Sequence, residues 1–440
     1  MSGQGIFIEI EEYMLKKLTG FAIFFILYLY NSSFSQGFKE ELSIKAAAHR
    51  ATHGSPLITY KGNIYIAYVT PNLKTVVGSN QNGWKWTTVH DNTANDLTHT
   101  TPSLGIDDLG YIHVVYDMHD DPWNYSISDS PEDISSFTKI SSPDSRMLKG
   151  GLITYPFMVR DNNGKLFISY RDYVNKTGPG DITTRRTTNG MLAWYDSQNK
   201  KWISMGSGPN SAFAEDNSYG VYKPRIRFDR NNRLHIAWVW RWKVPYGADA
   251  MQPSYAWTDD KSSFFTALGG SYTLPITHTQ PTKSNGGLVR DVSWTQYWVA
   301  LNELRVAIDP QNRPHVLYRD SDKTYRKHSY DGSSWGDPVD WPSNRLIIGP
   351  DGTMFNLSNK KLEVSTDAGN TWSGFSYPES GDYEYIIYDD WYLRTTENLR
   401  FQAKRKSDHL LKIWTFSISN ETDTSPPNAP KNIQVTSGDN

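Results

Sequence analysis

One phrase recurs along this chain and limits what it can become: a glycine or asparagine followed by a short strand of alternating apolar residues. It reads GNIYIAYV from Gly62, GYIHVVYD from Gly110, GKLFISYRD from Gly164, NRLHIAWVW from Asn232 and NRPHVLYRD from Asn312. Weaker copies are GTMFNLSN from Gly352 and DHLLKIWTF from Asp408. Successive copies begin between 40 (352 − 312) and 80 (312 − 232) residues apart. Period-2 strands returning at the length of a small antiparallel sheet predict an all-β chain folded as a seven-bladed β-propeller. A row of separate sandwich domains would also supply short strands, but it gives no reason for the repeated phrase. No segment after residue 36 carries a convincing amphipathic-helix pattern.

A second signal lies at 365–372, STDAGNTW. It matches the Asp-box pattern S-x-D-x-G-x-T-W of sialidase-like propellers, with worn versions in SNQNGWKW at 79–86 and SYDGSSW at 329–335. Such a run makes a hairpin turn: Asp367 and Ser365 bond turn amides, Gly369 takes a positive φ, and Trp372 packs between strands. Asp367 is therefore read as structural rather than catalytic.

The ends of the chain differ from its middle. Lys16 and Lys17 precede an apolar run from Phe21 to Tyr30, then small polar residues before Gln36. That order predicts a cleaved secretory signal over residues 1–36 and a secreted or periplasmic protein. Met14 stands where such a signal normally begins, which would make residues 1–13 an over-extended start. The apolar run is short for a membrane span, so no span is expected after cleavage. Residues 421–440 turn to Pro, Ser, Thr and Asn and read as a linker or tail, leaving 37–420 for the propeller. With no cysteine, the chain has neither disulfides nor a thiolate metal site. A net charge of −2 without long charged runs argues against nucleic acid as partner, and a monomer is expected. Sixteen tryptophans suit stacking on sugar rings, although strands also use aromatics freely.

The stretch HTTPSLGIDDLGYIHVVYDMHDDPWNY, residues 99–125, sets His99 before a strand pair and His119 after it. The Asp-Asp-Pro that follows His119 is a turn, so both imidazoles are expected to surface at one end of one sheet. Tyr155 in TYP and Arg171 in SYRD flank the turn at 161–164, a spacing that brings them together across one hairpin. Two imidazoles, a phenol and a guanidinium match what β-elimination of a uronic acid requires. Arg171 would pair with the C6 carboxylate and acidify the C5 proton. A neutral histidine would take that proton. Tyr155 would protonate the departing O4, or serve as base itself if Arg171 lowers its pKa. No cofactor or metal is needed for this chemistry.

These same residues carry a family resemblance. The 99–125 run, followed by TYP and SYRD, resembles the BNR-type propeller group that includes ulvan lyases of polysaccharide lyase families 24 and 25. The resemblance spans about residues 45–420 and is most specific between 95 and 175. It implies an exported enzyme that cleaves 4-linked uronic acid in ulvan, a sulfated rhamnose-rich algal polysaccharide, and leaves a 4,5-unsaturated end. It further implies His99 as base, Tyr155 as acid (or acid and base in a syn elimination), Arg171 as carboxylate neutraliser and His119 as an aid to binding or proton transfer. Some relatives hold a structural metal ion; its ligands cannot be placed here, and the metal site stays unknown. YVNKTGPGD after SYRD departs from a plain Gly/Ser loop, which leaves the subsites open. Oligosaccharide dehydratases and an α-L-rhamnosidase family share the scaffold and are the alternatives within enzymes. A non-catalytic propeller that binds anionic polysaccharide is the alternative outside them.

Other residues carry weaker expectations. Tyr222, Arg225 and Arg241 are candidate substrate contacts; the alternative for the alternating Tyr219, Tyr222, Arg225 and Arg227 is that they are solvated edge positions. His113, His235 and His315 share one repeat position and are expected to pack blades. Arg146, Lys149, Arg185 and Arg186 are cations that either meet an anionic polymer or belong to solvated loops. The pairs Asp107-Asp108 and Asp120-Asp121 are read as turn formers, since acid/base carboxyls must stand on facing elements.

Overall fold

The computed structural model describes residues 37–46, 54–92, 99–174, 187–242, 250–290, 304–320 and 322–418. The expected signal at 1–36, the tail at 421–440, and Arg185 and Arg186 lie outside them. Among the described residues, twenty-seven strands form seven antiparallel sheets arranged as a β-propeller. In blades 1 to 6 the repeated phrase leads into the second strand of the sheet, from Asn63–Val69 in blade 1 to Met354–Leu357 in blade 6, and in blade 7 it leads into the third, Leu410–Ser417. The turn before that strand explains the phrase. In blades 2 to 5, a carboxylate accepts from the amides two and four residues on: Asp107, Asp161, Asp229 and Asp309. Gly110, Gly164, Asn232 and Asn312 then take φ of 92°, 85°, 65° and 61°, a region open to Gly and Asn.

Blade packing follows from strands buried on both faces. Trp238, Trp240 and Trp414 are wholly buried, and fully burying such a side chain is worth on the order of 2–3 kcal/mol. Blades 2 and 3 meet so closely that a Cβ on Gly105 would fall 2.5 Å from Leu166 Cδ1. The expected packing histidines do pack. His113, His235 and His315 are buried, each between an aspartate and a hydroxyl: Asp107 and Tyr125, Asp229 and Tyr255, Asp309 and Ser329. The Asp-box is also structural. Gly369 N–H donates to Ser365 Oγ at 2.8 Å, Thr371 N–H to Asp367 Oδ1 at 2.8 Å, and Trp372 sits edge-on to Trp341.

Two features lay beyond the sequence reading. Gly37–Lys45 is the outermost strand of blade 7, paired with Leu410–Ser417, so the ring is closed by its two chain ends. A seven-residue helix, Asp390–Thr396, joins the first two strands of blade 7 and reaches under blades 1 and 3. Asp389 caps it by accepting from Tyr392 N–H at 3.0 Å, Arg394 donates to the Arg160 carbonyl at 2.6 Å, and Trp391 stacks on Arg160. No helix among the described residues is long and apolar enough to cross a membrane.

Candidate active site

The innermost strands of blades 3, 4 and 7 each gain one residue near their start. The ladder slips between Thr154 and Phe157, between Tyr222 and Arg225, and between Glu384 and Ile387. The extra residue takes the left-handed region: Tyr155 at φ 58°, Lys223 at 47°, Tyr385 at 54°. Such bulges re-aim a side chain. In blades 3 and 4 the next residue is proline, which needs no ladder partner for its nitrogen. Its carbonyl is taken up by the neighbouring blade: Ser103 Oγ donates to Pro156 O at 2.6 Å and Ser169 Oγ to Pro224 O at 3.1 Å.

This backbone swings Tyr155 against the two histidines of blade 2. His99 and His119 stack with ring centres 4.1 Å apart and planes 13° from parallel. The Tyr155 ring lies 6.0 Å from His99 and 6.2 Å from His119. The His119 turn is clasped to blade 3. Asp121 accepts from His119 N–H at 2.9 Å, and Thr154 Oγ1 donates to Asp120 at 2.8 Å. Asp121 is thus the turn former expected. Asp120 does more: its carboxylate stands 3.8 Å from Arg171.

Arg171 is 1% exposed and occupies a cage of three tyrosines. Its guanidinium carbon is 4.7 Å from the Tyr155 and Tyr173 rings and 4.8 Å from Tyr222. Desolvated cation–π contacts of this kind are worth about 2 kcal/mol each. Nη2 donates to the Tyr173 hydroxyl at 2.6 Å, whereas Nε and Nη1 have no hydrogen-bond acceptor among the described residues. Burial works against the charge, but the oxygens of Tyr173, Tyr155 and Tyr222 and the Asp120 carboxylate raise its pKa on balance. The cation is fixed.

Tyr155 is 2% exposed. Burial pushes its phenol well above the usual tyrosine value, Tyr222 adds to this, and Arg171 pulls it back only in part. The reading in which Arg171 makes Tyr155 a base therefore fails for the resting site: the phenol holds its proton. His99 and His119 are half-buried and form the part of the cluster that meets solvent.

The remaining candidates divide. Tyr222 joins the cluster, its hydroxyl 3.4 Å from that of Tyr155. Arg241, half-buried, lies 5.2 Å from the Tyr222 ring at the rim. Arg225 shares a sheet face with Tyr222 but sits further along the strand, over Phe157 at 4.7 Å and lining the axial cavity. Tyr155 and Tyr222 lie near enough to favour its charge, against the burial that disfavours it. Arg227 likewise faces the axis, bound to Tyr388 and Asp390. Tyr219 stacks on His278 at 3.8 Å. Arg146 is folded back on Asp144 at 2.7 Å, and Lys149 is exposed. Lys223 went unread in the sequence, yet its ammonium is 5.5 Å from Tyr155 and 5.6 Å from Tyr222. Its signal was YKP at 222–224, the counterpart of TYP one blade earlier. Among the described residues no group of three His, Asp or Glu side chains is placed to hold a metal ion.

A family model described as BNR repeat-containing family member matches residues 63–342 of the 440, more than half of the chain. The chain belongs to the BNR repeat-containing family. Among curated proteins, none matches it in sequence. Among solved structures, this BNR-repeat propeller is similar to polysaccharide lyase Uly1, at 16% identity and TM-score 0.62 over 87% of this chain and 94% of that one. It is similar to a PL25 ulvan lyase at 14% identity and TM-score 0.62, over 87% and 96% of the two chains. It is likewise similar to a PL25 ulvan lyase bound to -[GlcA(1-4)Rha3S]-, at 14% identity and TM-score 0.61 over 87% and 96% of the two chains. At such identities the shared feature is the fold.

Proposed function

We propose that this protein is an exported polysaccharide lyase that cleaves 4-linked uronic acid in an ulvan-type sulfated polysaccharide by β-elimination. One observation carries the reading. His99, His119, Tyr155 and Arg171 converge from two neighbouring blades, and Arg171 keeps two donors unengaged beneath them. The solved lyase bound to -[GlcA(1-4)Rha3S]- is the likeness that names the substrate class.

In this scheme the sugar rests against the two imidazoles, and the Tyr155 and Tyr222 rings part to admit its carboxylate to Arg171. Charge that develops on the carboxylate as C5 loses its proton is met by the Nε and Nη1 donors of a water-free guanidinium, where electrostatic stabilisation is strong. His99 takes the C5 proton. The C5–H electron pair becomes the C4=C5 bond, and the C4–O4 pair leaves on oxygen. Tyr155, protonated in the resting site, supplies the proton that O4 receives. His119 holds the His99 ring plane by stacking. Hydrolysis would need two separated carboxyls about the bond. The carboxylates described nearest the cluster are committed elsewhere, Asp121 to the turn and Asp120 to Thr154 and Arg171.

The test is incubation with ulvan while ultraviolet absorbance and chain length are followed together. A lyase raises absorbance as the polymer shortens. A hydrolase shortens it without absorbance, a dehydratase gives absorbance without shortening polymer, and a binding protein gives neither; any of these three results refutes the reading.

A further inference from the structure

A second polar cavity lies between blades 2 and 3, away from the reactive cluster. Its volume is about 130 Å³, and Tyr111, Asp129, Arg146, Tyr195 and Lys200 are among the residues that line it. Gly190 is the strand partner of Arg171, and Tyr195 stands five residues further along that strand (195 − 190). At about 3.3 Å per residue, this sets the cavity roughly 16 Å from the Arg171 end of the blade. Tyr195 is 3% exposed, its ring held edge-on to His113 at 4.4 Å and tilted against Trp202 at 5.2 Å. Its hydroxyl bonds no described residue. That is unusual, since a tyrosine hydroxyl generally finds a partner when the ring is buried. Arg146 is clamped by Asp144, which accepts from Nε at 3.0 Å and from Nη2 at 2.7 Å. Nη1 meets no acceptor among the described residues. Lys200 is exposed, with its ammonium 5.8 Å from the Tyr111 ring. Asp129 accepts from Thr138 Oγ1 at 2.6 Å and has lone pairs to spare. The lining carries two cations, Arg146 and Lys200, against two carboxylates, Asp107 and Asp129, so its charges balance (2 − 2).

We propose that this cavity binds one uncharged pyranose unit of a polysaccharide, apart from the reactive cluster. Phenol, guanidinium and ammonium donors beside a carboxylate acceptor suit sugar hydroxyls, each of which both donates and accepts. The half-buried Tyr111 ring adds an apolar surface for the C–H face of a sugar. The size agrees: at about 15 Å³ for each water-sized position, 130 Å³ holds roughly nine, the scale of one sugar ring with its hydroxyls. A free anion gains little here, because the balanced lining offers it no net attraction. The polar groups are also set in advance, Tyr195 by His113 and Trp202 and Arg146 by Asp144, which limits the ordering cost of binding. The site is separate from the uronic acid site of the proposed lyase reaction and stands or falls without it.

The test titrates the full-length protein with methyl α-L-rhamnoside, methyl β-D-xyloside and sodium glucuronate, followed by saturation-transfer NMR. A saturable signal with at least one neutral glycoside is expected. Tyr195→Phe keeps the ring against His113 and Trp202 and deletes only the hydroxyl. Its half-saturating concentration should rise about three- to tenfold, the loss expected for one hydrogen bond. An unchanged concentration in Tyr195→Phe, with a rise in Tyr155→Phe instead, places the sugar at the reactive cluster and overturns the proposal. No saturable signal with either neutral glycoside also overturns it. Saturation by glucuronate alone shows an anion site and overturns the uncharged-sugar assignment. Should a thermal melt show that Tyr195→Phe fails to fold, Lys200→Ala takes its place, because that side chain is exposed. A rise of about threefold in Lys200→Ala supports the site, and an unchanged value overturns it.

Discussion

Replacing Arg171 with lysine keeps a positive charge inside the tyrosine cage and removes the planar fork. The structure shows what is lost. Nη2 is spent on Tyr173, while Nε and Nη1 are the two donors a carboxylate can take side by side. A hydrogen bond to a charged group is worth about 1.5–3 kcal/mol, so two of them amount to about 3–6 kcal/mol of transition-state stabilisation. That converts to a fall of roughly two to four powers of ten in kcat/KM. The fold should tolerate the change, because an ammonium among Tyr155, Tyr173 and Tyr222 keeps much of the cation–π attraction. The assay is the initial rate of absorbance increase over a range of ulvan concentrations, with a thermal melt of each protein. Arg171→Lys with unchanged melting and more than about a tenth of the parental kcat/KM would show that the fork does not neutralise the carboxylate.

Tyr155→Phe removes the proton donor and should lower kcat by about 10²–10⁴ with KM little changed, checked by the same steady-state assay. Asp367→Ala should leave activity intact and lower the melting temperature, because the carboxylate holds the Asp-box turn. Bonds from Thr371 and Ser365 depress its pKa to about 2, so this stabilisation is present above the unfolded value and is lost as pH falls through about 2. Acid melts of the two proteins should therefore converge below about pH 2. Asp389 behaves oppositely. Burial raises its pKa to about 6 from 3.8, so its favourable contribution is present below the unfolded value and lost as pH rises through about 6. The span is about 3 kcal/mol. Urea midpoints at pH 4.5 and 7.5 should differ less in Asp389→Asn, which keeps a capping oxygen, than in the parent protein.

The ring was legible because its repeat is chemical. An aspartate, a positive-φ glycine or asparagine and an apolar strand recur where blades 2 to 5 turn from the first strand to the second. The closing strand Gly37–Lys45 carries no such turn, being an outer strand with partly exposed residues, and only its pairing with Leu410–Ser417 identifies it. The helix Asp390–Thr396 spans two turns, too few for a periodic signal, and is held by its cap and by contacts with distant blades. The candidate site was legible where residues stand at strand ends, as His99, His119 and Arg171 do. It was not legible where a bulge intervenes. One inserted residue in blade 4 swings Lys223 toward Tyr155 and sets Arg225 deeper on the axis, and no alternation rule anticipates that slip.

The most direct measurement follows a single hydrogen. An ulvan oligosaccharide carrying deuterium at C5 of the internal uronic acid is digested, and its products are weighed by mass spectrometry. β-Elimination at the His99–Tyr155–Arg171 cluster predicts unsaturated products that have lost the deuterium to solvent and a slowed rate of cleavage. Products that keep deuterium at C5 would contradict it.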